Sequence, residues 1–234
     1  MMKLLTMGWQ SPKLAKSDKA GLGYLSCIMY LAPSRVSGHN VCPQASPGCI
    51  ATCLNTAGRG RYDNVQQARI NRTNLFFNSR DTFKRQLIDE LRLFVKRAYK
   101  AGMKPACRLN GTSDLPWESL FPELFRAFPH VQFYDYTKVY SRMVKFLKGG
   151  LPRNYHLTFS RSELNDDKCQ SILSLKGNVA VVFRDKNFPL AWNGFPCYNA
   201  DLTDLRFLDP QGVGALYAKG RAKKDTSNFV LNHG

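Results

Sequence analysis

The chain has 234 residues, of which 44% are hydrophobic and 12% aromatic, and it carries 34 Lys and Arg against 17 Asp and Glu, a formal net charge of +17. This length suits one domain, or two small ones, with a sizeable core. No run approaches the roughly 18 apolar residues that cross a membrane, and residues 1–10 lack the apolar core and cleavage site of a secretory signal. We therefore expect a cytoplasmic protein without a membrane partner.

The chain alternates between predicted strands and helices. Residues 1–21 are polar and predict a basic N-terminal arm, whereas the apolar run 23–31 has the length and aromatic content of a strand buried on both faces. Further strands are predicted at 105–109, 131–136, 155–160, 178–183 and 213–218. Helices are predicted at 65–77, 81–100, 117–128, 139–147 and 162–175. The repeats span 22–185, a C-terminal extension covers 186–234, and the rhythm predicts a single α/β domain with a parallel sheet or a barrel.

Three of the seven cysteines lie within twelve residues, in the pattern C-x6-C-x3-C on a loop rich in Pro and Gly. Thiolates are the ligands that zinc and iron–sulfur clusters both take, so Cys42, Cys49 and Cys53 predict a metal site. His39 is the nearest candidate for a fourth position. The alternative is that these are reduced, buried thiols that act as small apolar side chains.

The other four cysteines are not clustered. An odd number of cysteines without an export signal favours ligands or free thiols over a disulfide framework. Three of the four lie in apolar or helical contexts and are predicted to be core thiols: Cys27, Cys107 and Cys169. The context of Cys197 decides nothing.

Polar side chains follow the predicted strands at their carboxyl ends, where parallel strand–helix folds bind ligands. We therefore predict that these side chains gather around one ligand site beside the cysteine loop. The predicted residues are Asn110, Thr112, Ser113, Asp114, Thr137, Lys138, Ser160 and Arg184. Asp114 and Lys138 have the alternative of a helix cap or a surface ion pair.

The positive charge is the second indication of function. An excess of Lys and Arg attracts polyanions and favours contact with a nucleic-acid backbone. We therefore predict a nucleic acid or nucleotide partner, against the alternative of a basic surface that serves solubility alone.

The cysteine loop carries a resemblance to known proteins. Cys42, the run Ser46-Pro47-Gly48-Cys49 and Cys53 follow the first strand of the repeats, and Tyr136-Thr137-Lys138 comes later. This arrangement resembles the radical S-adenosylmethionine superfamily, and it is similar to phage-encoded proteins with a three-cysteine loop. The superfamily's usual spacing is C-x3-C-x2-C, and residues 110–114 stand where its glycine-rich segment would lie.

The resemblance implies a fold, a cofactor and a subcellular localisation. The fold is a partial (β/α) barrel of about five to six mainly parallel strands with outer helices. The cofactor is a [4Fe–4S] cluster on Cys42, Cys49 and Cys53, whose fourth iron binds S-adenosylmethionine for radical chemistry. A phage protein would work in the cytoplasm of a bacterial host.

Three hypotheses follow. The first is an iron–sulfur enzyme of radical type that acts on nucleic acid or a nucleotide. The second is a zinc-stabilised basic protein that binds nucleic acid without catalysis through a closed Cys3His site. The third is an accessory protein that acts through its charge and holds no metal.

Overall fold

The structure is a computed structural model, which describes residues 2–10, 15 and 18–232. Within these residues the chain forms a mixed α/β fold around a ten-stranded sheet. The strands are β1 (Leu5–Met7), β2 (Tyr24–Met29), β3 (Lys104–Arg108), β4 (Gln132–Thr137), β5 (Tyr155–Ser160), β6 (Val179–Phe183), β7 (Ala191–Trp192), β8 (Phe195–Asn199), β9 (Val213–Tyr217) and β10 (Val230–Leu231).

The strands follow one another across the sheet almost in chain order. The order is β1-β2-β3-β4-β5-β6-β9-β8-β7, and β10 also pairs with β6. The pairs β1–β2 and β7–β8 are antiparallel, and the pairs between them are parallel. The sheet is not closed. The six apolar runs that predict strands are therefore confirmed, and the chain adds short strands at both edges.

Seven described helices connect and cover the strands. They are α1 (Pro47–Ala51), α2 (Asp63–Asn78), α3 (Arg80–Lys100), α4 (Trp117–Leu120), α5 (Pro122–Ala127), α6 (Tyr140–Leu147) and α7 (Asp166–Ser174). The helix predicted at 117–128 is divided, because Pro122 has no N–H to continue a helix and fits the first position of a new one. The helix predicted from 162 begins at Asp166, since residue 162 lies in a loop closed by a hydrogen bond from Ser162 N to Asn165 Oδ1 at 2.7 Å.

Part of the predicted N-terminal arm belongs to the sheet. Leu4 and Leu5 are buried, and β1 pairs with β2. The Glu90 carboxylate on α3 accepts hydrogen bonds from the backbone N–H groups of Leu4 at 2.9 Å and Leu5 at 2.8 Å. Of the four lysines of the predicted arm, Lys13 and Lys16 lie outside the described residues.

The sheet has two different faces. On the outer face, Cys27, Cys107, Phe133, Leu157 and Val181 are fully buried in one core with apolar side chains of the helices. Cys169 of α7 is buried in the same core, so the three predicted core thiols are buried as expected.

The alternate residues of the same strands form the inner face. There Ala106 and Tyr134 pack against Leu205 and Phe207. Phe207 lies in the 3-10 turn Arg206–Leu208, and Leu205 directly precedes that turn. The helices thus cover one face and leave the other to a loop and a pocket. No described helix is long and apolar enough to span a membrane.

Candidate ligand-binding site at the carboxyl edge of the sheet

A cavity of about 210 Å³ lies at the carboxyl ends of the parallel strands. Every predicted site residue except Arg184 lines it, together with all three cysteines of the loop. The predicted residues in the lining are Cys42, Cys49, Cys53, Asn110, Thr112, Ser113, Asp114, Thr137, Lys138 and Ser160. The structure therefore brings together side chains that are up to 118 positions apart in the sequence (42 to 160).

The cysteine loop is shaped by the residues between its thiols. Ser46 caps α1 by accepting a hydrogen bond from Cys49 N at 3.2 Å, and Pro47 occupies the first turn. The Glu163 carboxylate, from the loop after β5, accepts from the Ser46 hydroxyl and from Gly48 N, both at 2.7 Å. A Cβ at Gly48 would lie 2.8 Å from the Glu163 carboxyl carbon, so this close approach requires glycine.

Burial disfavours the thiolate form of two of the three loop cysteines, Cys42 and Cys53. Cys42 Sγ accepts from Ser34 N at 3.4 Å and lies 3.6 Å from the carbonyl oxygen of Thr112. Burial raises the pKa of Cys42 to about 12 and also raises the pKa of Cys53. Metal ligands are thiolates, so a bound metal would have to displace these protons.

The three cysteines do not form a single-ion site in the part of the chain that the structure describes. Among the residues that the structure describes, no group of three or more His, Cys, Asp or Glu side chains is placed to hold one metal ion. His39 stacks on the Phe77 ring of α2, with ring centroids 4.1 Å apart and planes at 6°. The His39 ring is therefore packed on α2 and does not complete a closed Cys3His site with the three cysteines. A [4Fe–4S] cluster takes each thiolate on a different iron, so its ligands stand further apart than those of one ion.

Asn110 shapes the wall of the pocket through its own hydrogen bonds. Its Oδ1 accepts from Leu115 N at 3.0 Å, from the Ser113 hydroxyl at 2.7 Å and from Trp117 Nε1 at 3.0 Å. Its Nδ2 donates to Leu115 O and to Asp135. The amide predicted to bind a cofactor is thus used to fold the loop after β3.

Thr112 and Thr137 also serve the local fold. The Thr112 hydroxyl donates to the carbonyl of Leu31 at 2.6 Å, which joins the ends of β2 and β3. The Thr137 hydroxyl accepts from Val139 N at 3.0 Å just before α6. Both side chains therefore position the backbone around the pocket.

Asp114 forms a buried ion pair, whereas its alternative assignment was a helix cap or a surface ion pair. Its carboxylate accepts from Arg142 Nη1 at 3.1 Å and from Lys138 N at 2.8 Å. Arg142 also makes two 2.8 Å hydrogen bonds to Glu118 and one of 2.6 Å to the Tyr155 hydroxyl. This buried cluster fixes the ends of β3 and β4 relative to each other.

Lys138 and Ser160 join β4 and β5 within the pocket. Lys138 Nζ donates to Ser160 Oγ at 2.8 Å and lies 5.5 Å from the centroid of the Phe229 ring. The ammonium group is thus held by a neutral oxygen and an aromatic face. This leaves a positive charge in the pocket lining.

Arg184 does not join the other predicted residues, because its guanidinium anchors the C-terminal segment. It donates to Asn232 Oδ1 at 2.7 Å and to the carbonyls of Lys223 and Asp225, both at 2.6 Å. Arg161 holds the same segment through the Phe229 carbonyl at 3.1 Å.

Several lining residues were not predicted from the sequence. Arg108 and Tyr136 belong to the inner face of β3 and β4, and Phe229 comes from the C-terminal segment. Two-residue alternation along the strands could have identified Arg108 and Tyr136. No local signal places Phe229 here, because a contact between distant segments sets its position.

The fold and site define a mainly parallel α/β protein with a cysteine-lined pocket at the carboxyl edge of an open sheet. The Gene product 88 (GP88) family matches residues 3–233, so the chain belongs to this phage-type family. Neither the curated proteins nor the solved structures give a match to the chain. The resemblance to phage-encoded proteins is thereby confirmed, whereas the one to the radical S-adenosylmethionine superfamily stays a prediction.

Proposed function

We propose that this protein holds a [4Fe–4S] cluster on Cys42, Cys49 and Cys53 and acts as an enzyme similar to radical S-adenosylmethionine enzymes. The observation that carries this proposal is that all three thiols share one pocket with polar side chains from the ends of the neighbouring strands. When bound, the cluster would pass an electron from an external one-electron reductant to S-adenosylmethionine.

The chain's own residues supply the rest of the site. Glu163 and Ser46 fix the short helix that carries Cys49, and the Cys42 thiol rests on the loop after β3. Lys138 gives the lining a positive charge, which favours the ionised form of Cys53 and partly offsets the effect of burial. The zinc alternative with His39 has less support, because that ring is stacked on Phe77.

The proposal includes a partial (β/α) barrel as the form of the sheet. Its support is the nearly sequential strand order, with the helices between consecutive parallel strands packed on the outer face and only the short α1 at the pocket. Right-handed crossovers that run in one direction put every helix on the same side of a sheet, as in barrels, whereas a reversal of direction gives the doubly wound arrangement. A pocket lined by residues from β3 to β9 is what a curved inner face would form.

Cysteine variants test the cluster. We expect Cys42→Ala, Cys49→Ala and Cys53→Ala proteins, purified without oxygen, to lose most of their iron and sulfide. Cys197→Ala is the matched control, because Cys197 is a half-buried free thiol of β8 outside the pocket lining. Equal iron in all four variants would refute the assignment. Release of 5′-deoxyadenosine from S-adenosylmethionine under a strong reductant then tests the enzyme class.

The partner that we propose is nucleic acid or a nucleotide, in the cytoplasm of a bacterial host. Two exposed basic turns flank the pocket: Gly58–Arg61 and Gly220–Lys224. The second turn approaches the residue before the first, since a Cβ at Gly220 would lie 3.1 Å from the Ala57 Cβ. Ala222 of the second turn and the nearby Leu54 line the pocket. Their exposed basic residues are Arg59, Arg61, Arg221, Lys223 and Lys224.

Salt-dependent binding tests this surface. Phosphate contacts release counterions. The logarithm of the association constant for a single-stranded oligonucleotide should therefore fall linearly with the logarithm of the salt concentration. Changing the five basic residues of the two turns to Gln should weaken binding and flatten that slope. The control changes five basic residues of α3 to Gln: Arg85, Arg92, Lys96, Arg97 and Lys100. Equal loss in both variants would indicate a general charge effect and contradict the proposed surface.

A further inference from the structure

Two layers of polar side chains lie on the inner face below the mouth of the pocket. Tyr136 and Lys138 point to the same side of β4, because side chains alternate along a strand. Tyr136 is paired in register with Thr158 of β5, and Lys138 donates to Ser160, two residues further along β5. Arg108 of β3 completes the deeper layer, with its guanidinium carbon 4.6 Å from the centroid of the Tyr136 ring.

The deeper layer contains hydrogen-bonding atoms that nothing in the described chain satisfies. Arg108 Nε, the Tyr136 hydroxyl and Thr158 Oγ1 are buried and have no hydrogen-bond partner among the described residues. Buried polar groups are nearly always paired, so an unpaired group calls for an explanation such as a ligand or an ordered water. Two of these three residues, Arg108 and Tyr136, also line the pocket, so one ligand bound there can reach both.

The chemistry of these groups favours an oxyanion. Within Arg108, the Nη1 atom is already paired, since it lies 3.3 Å and 3.4 Å from the carboxylate oxygens of Asp204. The Nε–H of Arg108 and the Tyr136 hydroxyl can both donate. The carboxylate that lines the pocket, Asp114, is compensated by Arg142, and Lys138 adds a positive charge one layer above. Guanidinium and hydroxyl donors together bind phosphate and carboxylate groups.

We propose that Arg108 and Tyr136 form an oxyanion subsite at the floor of the pocket, and that this subsite receives a phosphate or carboxylate group of the substrate. The subsite deepens the proposed function and rests on it in one respect, that this pocket receives the substrate. The subsite implies that the substrate carries a negative charge at the end that enters the pocket first. A nucleotide phosphate is the form that agrees with the basic turns at the mouth.

The Tyr136→Phe variant tests the subsite with little risk to folding, because the lost hydroxyl has no partner in the described chain. The probes are inorganic phosphate and acetate, titrated at low salt by calorimetry into the full-length protein. Tyr140→Phe is the control, because Tyr140 packs on Phe159 outside the pocket lining. We expect Tyr136→Phe to bind the preferred anion at least about tenfold more weakly, at unchanged melting temperature, and Tyr140→Phe to bind as the wild type.

A second variant removes the charge of the subsite without leaving a buried charge alone. Arg108→Gln combined with Asp204→Asn removes both members of the ion pair and should abolish binding. Preference for phosphate or for acetate identifies which oxyanion the subsite takes, and either supports it. Failure of the wild type to bind both anions, or binding that Tyr136→Phe leaves intact, would overturn the proposal. Cys42→Ala protein should still bind the anion, which separates this result from failure of the cluster.

Discussion

The two faces of the sheet use the same strands for opposite purposes. On the outer face, Phe133, Leu157 and Val181 are fully buried against helices in one apolar core. On the inner face the alternate residues are Tyr134, His156 and Thr158, which are polar and carry buried atoms without partners in the described chain. The outer face therefore stabilises the fold, whereas the inner face is divided between a loop that packs on Tyr134 and a pocket lined by Tyr136.

This difference shows where buried polar atoms without hydrogen-bond partners occur in this protein. Sequences break the rule of paired buried polar groups mainly at functional sites, and the rest of the structure compensates. Here the compensation is the aromatic cluster of Phe76, Phe83, Trp117 and Phe121 on the helical side.

The largest effect is expected from the outer face. Phe133→Ala removes a fully buried ring that packs edge-on against Phe125 at 4.9 Å. We expect it to lower the free energy of unfolding by about 3–5 kcal/mol, from lost burial and the cavity left behind. Urea denaturation measures this loss. A loss below about 1 kcal/mol would mean that the outer face is not the principal core.

The next effect concerns the anchor of the cysteine loop. Glu163→Gln replaces two charge-assisted hydrogen bonds to Ser46 and Gly48 with weaker ones. We expect a loss of about 1.5–3 kcal/mol in the free energy of unfolding and a lower iron content per chain. Glu123→Gln is the control, because its ion pair with Lys84 is exposed and contributes little. Iron content equal to that of the wild type would show that the loop needs no anchor.

A pH effect distinguishes the inner face. Burial, with a smaller contribution from Arg206, lowers the pKa of His156 to about 4. The folded protein therefore binds fewer protons than the unfolded chain between pH 6.5 and 4, so stability is lost as the pH falls through this range. His156→Phe should lose less stability than the wild type between pH 7 and pH 4.5. Parallel stability curves for the two proteins would contradict the assignment.

The smallest effect is expected at Tyr134. Its hydroxyl is buried and has no partner in the described chain, so Tyr134→Phe removes an unsatisfied group and keeps the ring. We expect the free energy of unfolding to change by no more than about 0.5 kcal/mol, or to rise. Calorimetry would reveal a larger loss, which would mean that the hydroxyl has a partner in solution.

The central strands and the place of the site could be predicted because both follow from local pattern. Apolar runs such as 178–183 predict buried strands, and polar residues directly after them must lie at one edge of a parallel sheet. Lys138 and Ser160 came together for this reason. The shortest strands could not be predicted, because β7 and β10 have two residues each and depend on their neighbours.

The misplaced residue and the missed ones have a common cause. Arg184 was placed at the pocket by its position after a strand, but the C-terminal segment occupies its guanidinium. Glu163 and Phe229 reach the site through contacts between segments far apart in the sequence. Local periodicity contains no information about such contacts. Asn110 shows a second limit of prediction from sequence. Its place at the pocket is predicted correctly, but its side chain stabilises the loop and is not free to bind a ligand.

The most direct test of the account is iron, sulfide and zinc analysis with a visible spectrum, on wild-type protein purified without oxygen. We expect about four irons with matching sulfide per chain and a brown protein that absorbs near 400 nm. One zinc per chain and no colour would contradict it, and would show that the cysteine loop serves a structural site.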